Sequence, residues 1–515
     1  MRVALDSAND RMVRRVVIIG GGTAGWMTAA ALAHRLGPTG VTITLVESAE
    51  IGTVGVGEAT LPQMRYFNSA LGIDEAEMMR RTAATIKLGI EFRDWGSPGD
   101  RYIHPFGAHG ERIGPADFHH YWVKQHKAGD AAAFGRYCYP IVAAWNDRFA
   151  LPEDDPVSPL SAFSYAFQFD ASLYGAFLAD YAQKRGAERV EGKVVSVQSN
   201  GESGFIETVT LESDAEIAGD LFIDCSGFRG LLIEQELETG YKDWSAYLPC
   251  NRAYAVPCTT EDAVGPYTRA TARSGGWQWR IPLQHRVGNG HVYCDRYISD
   301  QDAVDQLMTN LEGEPLADPK QLFFKTGKRR KLWNRNCIAI GLSGGFLEPL
   351  ESTSIDLIQS GITNLLELWP QRDCAASDAD EYNRLMDLEF TRIRDFLMLH
   401  YVATERDTPL WQDMREMEWP DSLAHKIEAF RLRGIVPEYE SGLFQPPSWL
   451  SVFIGQNIIP EHCDPRVERL DDGARAAALG RIEADIAAHV DRTTGHLDFI
   501  ASYGAAYGGA QTGGS

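Results

Sequence analysis

Six residues, Gly20-Gly21-Gly22-Thr23-Ala24-Gly25, constrain this chain more than any others. They lie between a β-branched run, Val16-Val17-Ile18-Ile19, and an alanine-rich stretch that continues to Leu36. A strand that turns directly into a helix needs glycines for the tight turn, for close approach of backbone to a ligand, and for packing of helix on strand. Val41-Thr42-Ile43-Thr44-Leu45-Val46 reads as the next strand, so the opening is a βαβ unit of Rossmann type. The free amides and dipole at the start of such a helix suit a pyrophosphate. Glu47 ends the second strand, where a carboxylate accepts hydrogen bonds from the hydroxyls of an adenosine ribose. Gly20, Gly22, Thr23, Ala24, Gly25 and Glu47 are therefore candidate dinucleotide-binding residues, with a purely structural glycine turn as the alternative.

The motif alone does not separate FAD from NAD. Two further strand signals, Leu221-Phe222-Ile223 and Cys337-Ile338-Ala339-Ile340, each run into a glycine loop, Asp224 to Gly230 and Ile340 to Gly345, the latter containing Leu342. They are expected to extend the same sheet from distant sequence, and a ligand as long as FAD uses additional loops of this kind. At 515 residues the chain exceeds one ordinary core, so two lobes are expected. From Ile355 the apolar period becomes helical (Ile355, Ile358, Ile362, Leu365). The expected organisation is a discontinuous α/β FAD-binding module over residues 13–350 with inserted substrate-site segments, a mainly helical substrate module over 351–503, and a disordered tail over 504–515.

A formal charge of −22 repels phosphate backbones and anionic lipid, which argues against nucleic acid and membrane as partners. Eight cysteines with no CxxC pair read as reduced, no metal site is expected, and no apolar run reaches the length of a membrane span. The simplest localisation is cytoplasmic.

In Gly276-Trp277-Gln278-Trp279-Arg280-Ile281-Pro282 the two tryptophans fall on one face if the segment is extended. Core packing would account for them. The segment also resembles the GWxWxIP signature of the flavin-dependent halogenases, and in particular of the tryptophan halogenases. Gly55-Val56-Gly57-Glu58-Ala59-Thr60, Cys225-Ser226-Gly227-Phe228-Arg229-Gly230 and Phe346-Leu347-Glu348-Pro349-Leu350-Glu351-Ser352-Thr353 are similar to further family motifs, in the same order, over most of residues 13–460. The resemblance implies a flavin-monooxygenase-like FAD module joined to a helical substrate module, with Val56, Gly57 and Leu342 against the cofactor. It places Trp277, Trp279, Ile281 and Pro282 near the flavin, where they keep organic substrate from it. It implies FADH2, supplied by a separate flavin reductase, together with dioxygen and chloride or bromide; a homodimer is a candidate assembly, and the oligomeric state is left open.

Several residues gain a role only through this resemblance. Lys87, in Ile86-Lys87-Leu88-Gly89-Ile90-Glu91-Phe92, would by alternation face away from its apolar neighbours and be solvated, but it matches the family's catalytic lysine. Glu351 matches the glutamate that works with that lysine. Thr353 and Ser354 match the pair whose amides hold halide, although the tryptophan halogenases usually have glycine where Ser354 stands. Thr353 and Asp356 also have capping-box spacing at a helix start. His104 and Phe106 match the rings that flank the substrate indole, and Phe444 and Trp449 are candidates for a further wall.

The family's clamp for an amino acid's ammonium and carboxylate, a tyrosine pair and a glutamate, is not recognisable in Arg431-Leu432-Arg433 or in Tyr439 to Pro447, although Arg431 and Arg433 remain possible carboxylate contacts. Indole or a larger indole-bearing molecule is thus expected in place of free tryptophan. Two other readings stay open at this stage: a flavin monooxygenase that hydroxylates its substrate, and a flavin-binding redox sensor without turnover.

Overall fold

The computed structural model describes residues 11–48, 57–156, 158–260, 264–440 and 442–508. The opening βαβ unit forms as its pattern requires: strand Arg15–Ile19, helix Thr23–Leu36 and strand Thr42–Glu47. Gly20 takes φ +114°, and a Cβ there would stand 2.3 Å from the Cys225 carbonyl oxygen. A Cβ at Gly25 would stand 1.8 Å from the Gly20 carbonyl oxygen. Only glycine allows the strand to turn so sharply and the helix to pack so closely.

Strands Leu221–Asp224 and Cys337–Ala339 join this unit in one six-stranded sheet, as the glycine-loop pattern implies. Arg15–Ile19 pairs in parallel with Thr42–Glu47 and with Leu221–Asp224, which pairs in turn with Cys337–Ala339. Segments more than 200 residues apart thus end their strands beside one another, and the three glycine loops converge at the carboxyl edge, where ligands of such sheets lie.

A second, seven-stranded sheet carries the tryptophan strand Gly276–Pro282. Its neighbours are Val287–Tyr293 and Thr268–Arg273, followed by Gly89–Arg93 and Arg101–Pro105. His104 and the two tryptophans therefore ride on one rigid support. A third, small sheet joins Gly57–Ala59, Ala166–Asp170 and Thr85–Lys87. From Ser354 onward the described elements are helical, the longest being Ala376–Val402. Helix Pro446–Gly455 lies so close to strand Arg101–Pro105 that a Cβ on Gly455 would meet the Tyr102 ring at 2.4 Å. No helix among the described residues is long and apolar enough to cross a membrane.

Two expectations change. The strand run containing Lys87 breaks at Leu88, both faces are covered, and Lys87 is as fully buried as Ile86 and Leu88. Alternation placed it on the opposite face, but that face is interior too. The start of the tail is also packed. Ala505 is buried, its carbonyl accepts from Gln284 Nε2 at 3.0 Å, and Tyr507 N donates to Gln284 Oε1 at 2.7 Å. A segment of small residues docks here because Gln284 satisfies its backbone, a long-range partner that composition does not reveal.

Candidate active site

A cavity of about 880 Å³ lies at the carboxyl edge of the six-stranded sheet. Gly20, Gly22, Thr23, Ala24, Glu47, Gly57 and Leu342 all line it, as do Trp277, Trp279 and Ile281. The alternation expected of Gly276–Pro282 holds, with both indoles reaching the same space. Gly25 and Pro282 stand behind the wall: Gly25 as the packing glycine, Pro282 accepting from Thr85 Oγ1 at 2.7 Å. Val56 lies outside the described residues.

The shape fits FAD. A Cβ on Gly21 would stand 1.5 Å from Glu47 Oε2, whereas a Cβ on Gly22 would meet nothing within 4 Å, so the loop is bare on one side and tightly backed on the other. The helix Thr23–Leu36 has no side-chain cap, which leaves its first amides for a diphosphate. Arg189, Lys193 and Arg229 bring positive charge to the lining. Glu47 is held by Arg189 and by Trp26 Nε1 at 3.4 Å.

A second cavity, about 420 Å³, is lined by His104, Phe106, Phe163 and Phe444, with Gln63 and Gln445 among its polar groups. No lysine, arginine, aspartate or glutamate is found among the described residues of its lining. Trp449 is not part of this wall. It packs behind, edge-on to Phe396 at 5.1 Å, and Phe396 stacks on Phe444 at 3.9 Å. Arg431 and Arg433 are exposed on helix Asp421–Arg433 and line neither cavity.

Lys87 occupies the partition. Its ammonium nitrogen donates to Thr60 O at 2.9 Å and to Ser352 Oγ at 2.8 Å, and it lies 5.2 Å from the centre of the Phe106 ring. Ser352 lines the large cavity and Phe106 the small one. Burial pushes the Lys87 amine down to about 7, with the Glu351 charge opposing. Ser352 has φ +60°, a conformation costing a non-glycine residue about 1 kcal/mol or more, and its hydroxyl is the one that Lys87 meets.

The sequence model of the tryptophan halogenase family matches residues 15–472. The chain belongs to this family. Among solved structures, the halogenase is similar to the flavin-dependent halogenase BrvH from Brevundimonas sp. BAL3, with 46% identity, TM-score 0.92, and coverage of 95% of this chain and 99% of that one. The flavin-dependent halogenase Xcc4156 from Xanthomonas campestris has the same identity and TM-score, covering 96% and 99%. The tryptophan 6-halogenase SttH from Streptomyces toxytricini is 34% identical over 532 residues, covering 96% of this chain and 99% of its own. As a member of this family the protein is a flavin-dependent oxidoreductase that uses FAD and halide and works with a separate flavin reductase.

In this halogenase Glu351 is fully buried between two imidazoles. His104 Nδ1 donates to both carboxylate oxygens, at 3.0 and 2.9 Å, and His400 Nε2 lies 2.9 Å from Oε1. Burial alone would raise the Glu351 carboxyl, but His104 and His400 outweigh it and hold it down at about 2. His400 Nδ1 donates to the Phe396 carbonyl at 2.9 Å, which fixes the ring so that Nε2 points at the carboxylate.

The expected capping box does not form. Thr353 stands at the N-cap with ψ −11° and gives no side-chain cap, its Oγ1 is buried without a partner, and Asp356 is buried, its carboxyl pushed up to about 8. Helix Ser354–Glu367 therefore begins with amides that no side chain has claimed, and Ser354 faces the large cavity.

Sequence reasoning missed His400, Ser352 and Glu348. His400 interrupts the apolar run Phe396-Leu397-Met398-Leu399, and a polar residue in such a run is a signal for a buried partner. One cluster able to approach a metal, Asp117, His119 and His120, exists among the described residues. Each imidazole already spends a ring nitrogen, His119 on Gly434 O and His120 on Asp464 N.

Proposed function

We propose that this halogenase uses chloride or bromide to halogenate the ring of an indole or a larger indole-bearing molecule in preference to free tryptophan. The observation that carries this reading is Lys87 buried between a dinucleotide-shaped cavity and an aromatic one whose described lining holds no charged side chain.

Reduced FAD with dioxygen supplies the oxidising equivalent that turns halide into hypohalous acid. The unclaimed amides of Thr353 and Ser354 are suited to hold the halide. Burial favours the free amine of Lys87, which can take the halogen from hypohalous acid as a haloamine and release water; its ammonium form can instead hydrogen-bond the acid. The ring, held by His104, Phe106 and Phe444, attacks the halogen, and its proton passes by way of the His104 imidazole to Glu351, which bonds His104 Nδ1 from behind. A carboxylate near 2 is a weak base, but a protonated aromatic ring is a far stronger acid, so the transfer still runs downhill.

An amino acid's ammonium and carboxylate would meet no opposite charge among the described residues lining the aromatic cavity, only neutral groups such as the amides of Gln63 and Gln445. Burying them costs several kcal/mol, against about 1 kcal/mol from ring stacking. The test is incubation with FAD, a flavin reductase, NADH and bromide, with mass spectrometry of products and kcat/KM for indole against tryptophan. Brominated indole with indole preferred is expected. A preference for tryptophan overturns the substrate reading. An oxygenated product points to a hydroxylase, and no product with either ring points to a sensor.

A further inference from the structure

Three residues before Glu351 stands a second buried carboxylate, Glu348, fully inaccessible and with no cation among the contacts given for it by the described residues. Its Oε2 accepts from Trp277 Nε1 at 3.0 Å and from the Tyr401 hydroxyl at 2.5 Å, and the Cys250 thiol lies against the same carboxylate. A buried carboxylate without a cation is costly, and burial pushes this one up to about 7. Helix stability does not call for it, since Glu348 precedes a single turn, Pro349–Glu351. What it does is join three elements. Trp277 belongs to the signature strand and walls the large cavity, and Glu348 stands behind that indole, away from the cavity. Tyr401 is the neighbour of His400 on the long helix, and His400 meets Glu351. Two carboxylates flanking one Pro-Leu pair thus engage two consecutive side chains of one helix.

Around them the aromatic packing is dense. Tyr401 stacks on Trp411 at 5.3 Å and meets Trp95 edge-on at 5.3 Å, and Trp95 touches Trp277 at 6.3 Å. Packing fixes the plane of this indole, and the N–H bond to Glu348 adds a directional tie within that plane.

We propose that Glu348 and Tyr401 are positioning residues that hold the Trp277 indole as the back wall of the flavin cavity, in register with the Lys87–Glu351 site. This rests on the halogenation reading above. If the indole drifts, oxidant formed at the flavin has a wider exit and less of it reaches Lys87. The loss appears as hydrogen peroxide or spent oxidant in place of halogenated product.

The test uses the full chain with FAD, a flavin reductase, NADH, bromide and indole, and measures brominated product per reduced flavin consumed, peroxide released and FAD affinity. Glu348→Leu, Tyr401→Phe and Trp277→Phe, which keeps a ring without the N–H, should each lower the product ratio by about threefold or more, the factor for one lost hydrogen bond of ordinary net strength. FAD affinity should hold in Glu348→Leu and Tyr401→Phe, whose side chains do not line the flavin cavity. The Glu348→Leu/Trp277→Phe double variant should be no worse than its poorer parent, because both remove the same bond. Glu348→Gln retains an acceptor and should recover most of what Glu348→Leu loses. Unchanged ratios in the single variants, or losses that multiply in the double variant, overturn the proposal. Should Glu348→Leu fail to fold, Tyr401→Phe and Trp277→Phe decide alone. Wild-type protein that makes no brominated indole refutes the halogenation reading instead, and FAD affinity and peroxide release keep the two failures apart.

Discussion

Lys87→Met should make the protein more stable while ending its chemistry. Lys87 is completely buried, and its amine falls from 10.5 to about 7, a gap worth roughly 5 kcal/mol at about 1.4 kcal/mol per pH unit. That is the cost of keeping an ammonium in the partition at low pH. Methionine has similar length and no charge, but it forfeits the bonds to Thr60 O and Ser352 Oγ, together worth about 2 kcal/mol. The balance favours methionine by about 3 kcal/mol. Unfolding entropy of about 2 cal/mol/K per residue makes each kcal/mol worth about 1 °C in a chain this long, so Tm should rise by about 3 °C.

The sign of the pH dependence is fixed by the direction of the shift. With the folded pKa below the unfolded one, the penalty is full below about 7 and shrinks as pH rises through 10.5, above which both states are neutral. The advantage of Lys87→Met should be greatest near pH 6 and vanish around pH 9. Thermal unfolding at a series of pH values reads this directly, and product analysis should show flavin oxidation without halogenation. A variant less stable than wild type at pH 6, or a difference that does not narrow with pH, would refute the reasoning.

Glu351→Gln should lower kcat by on the order of 100-fold, the usual scale for losing a positioned base, with FAD affinity little changed; a wild-type rate would leave Glu351 structural. Because the Glu351 carboxyl is held at about 2, the wild-type rate should show no limb from it above pH 4, which a pH profile at constant flavin supply checks. Gly25→Ala should cut FAD affinity at least about tenfold, since the added methyl would stand 1.8 Å from a fixed carbonyl oxygen; flavin fluorescence titration measures it, and retained affinity would show that the turn relaxes.

Local sequence carried the nucleotide fold because its constraints are local. A turn that only glycine can make, a strand ending in Glu47 and two later strands running into glycine loops each imply a backbone geometry within a few residues. The two tryptophans on one face follow from the strand period alone. Lys87, Glu351 and His104 needed family resemblance, since nothing in their neighbours distinguishes a partitioned lysine from a solvated one.

What the tertiary structure decided is partnership across long separations. Burial of Lys87 depends on Thr60 and on Ser352, the latter 265 residues away, and the depressed Glu351 carboxyl depends on His104, 247 residues before it, and on His400. The capping box at Thr353 was legible and absent, because a side chain bonds to the nearest available amide only when its own rotamer and surroundings leave it free to do so. Residue types and spacing specify which elements form and which faces they bury. Whether a lysine is near 7 and a glutamate near 2 is set by desolvation and by charges that only folding brings within reach.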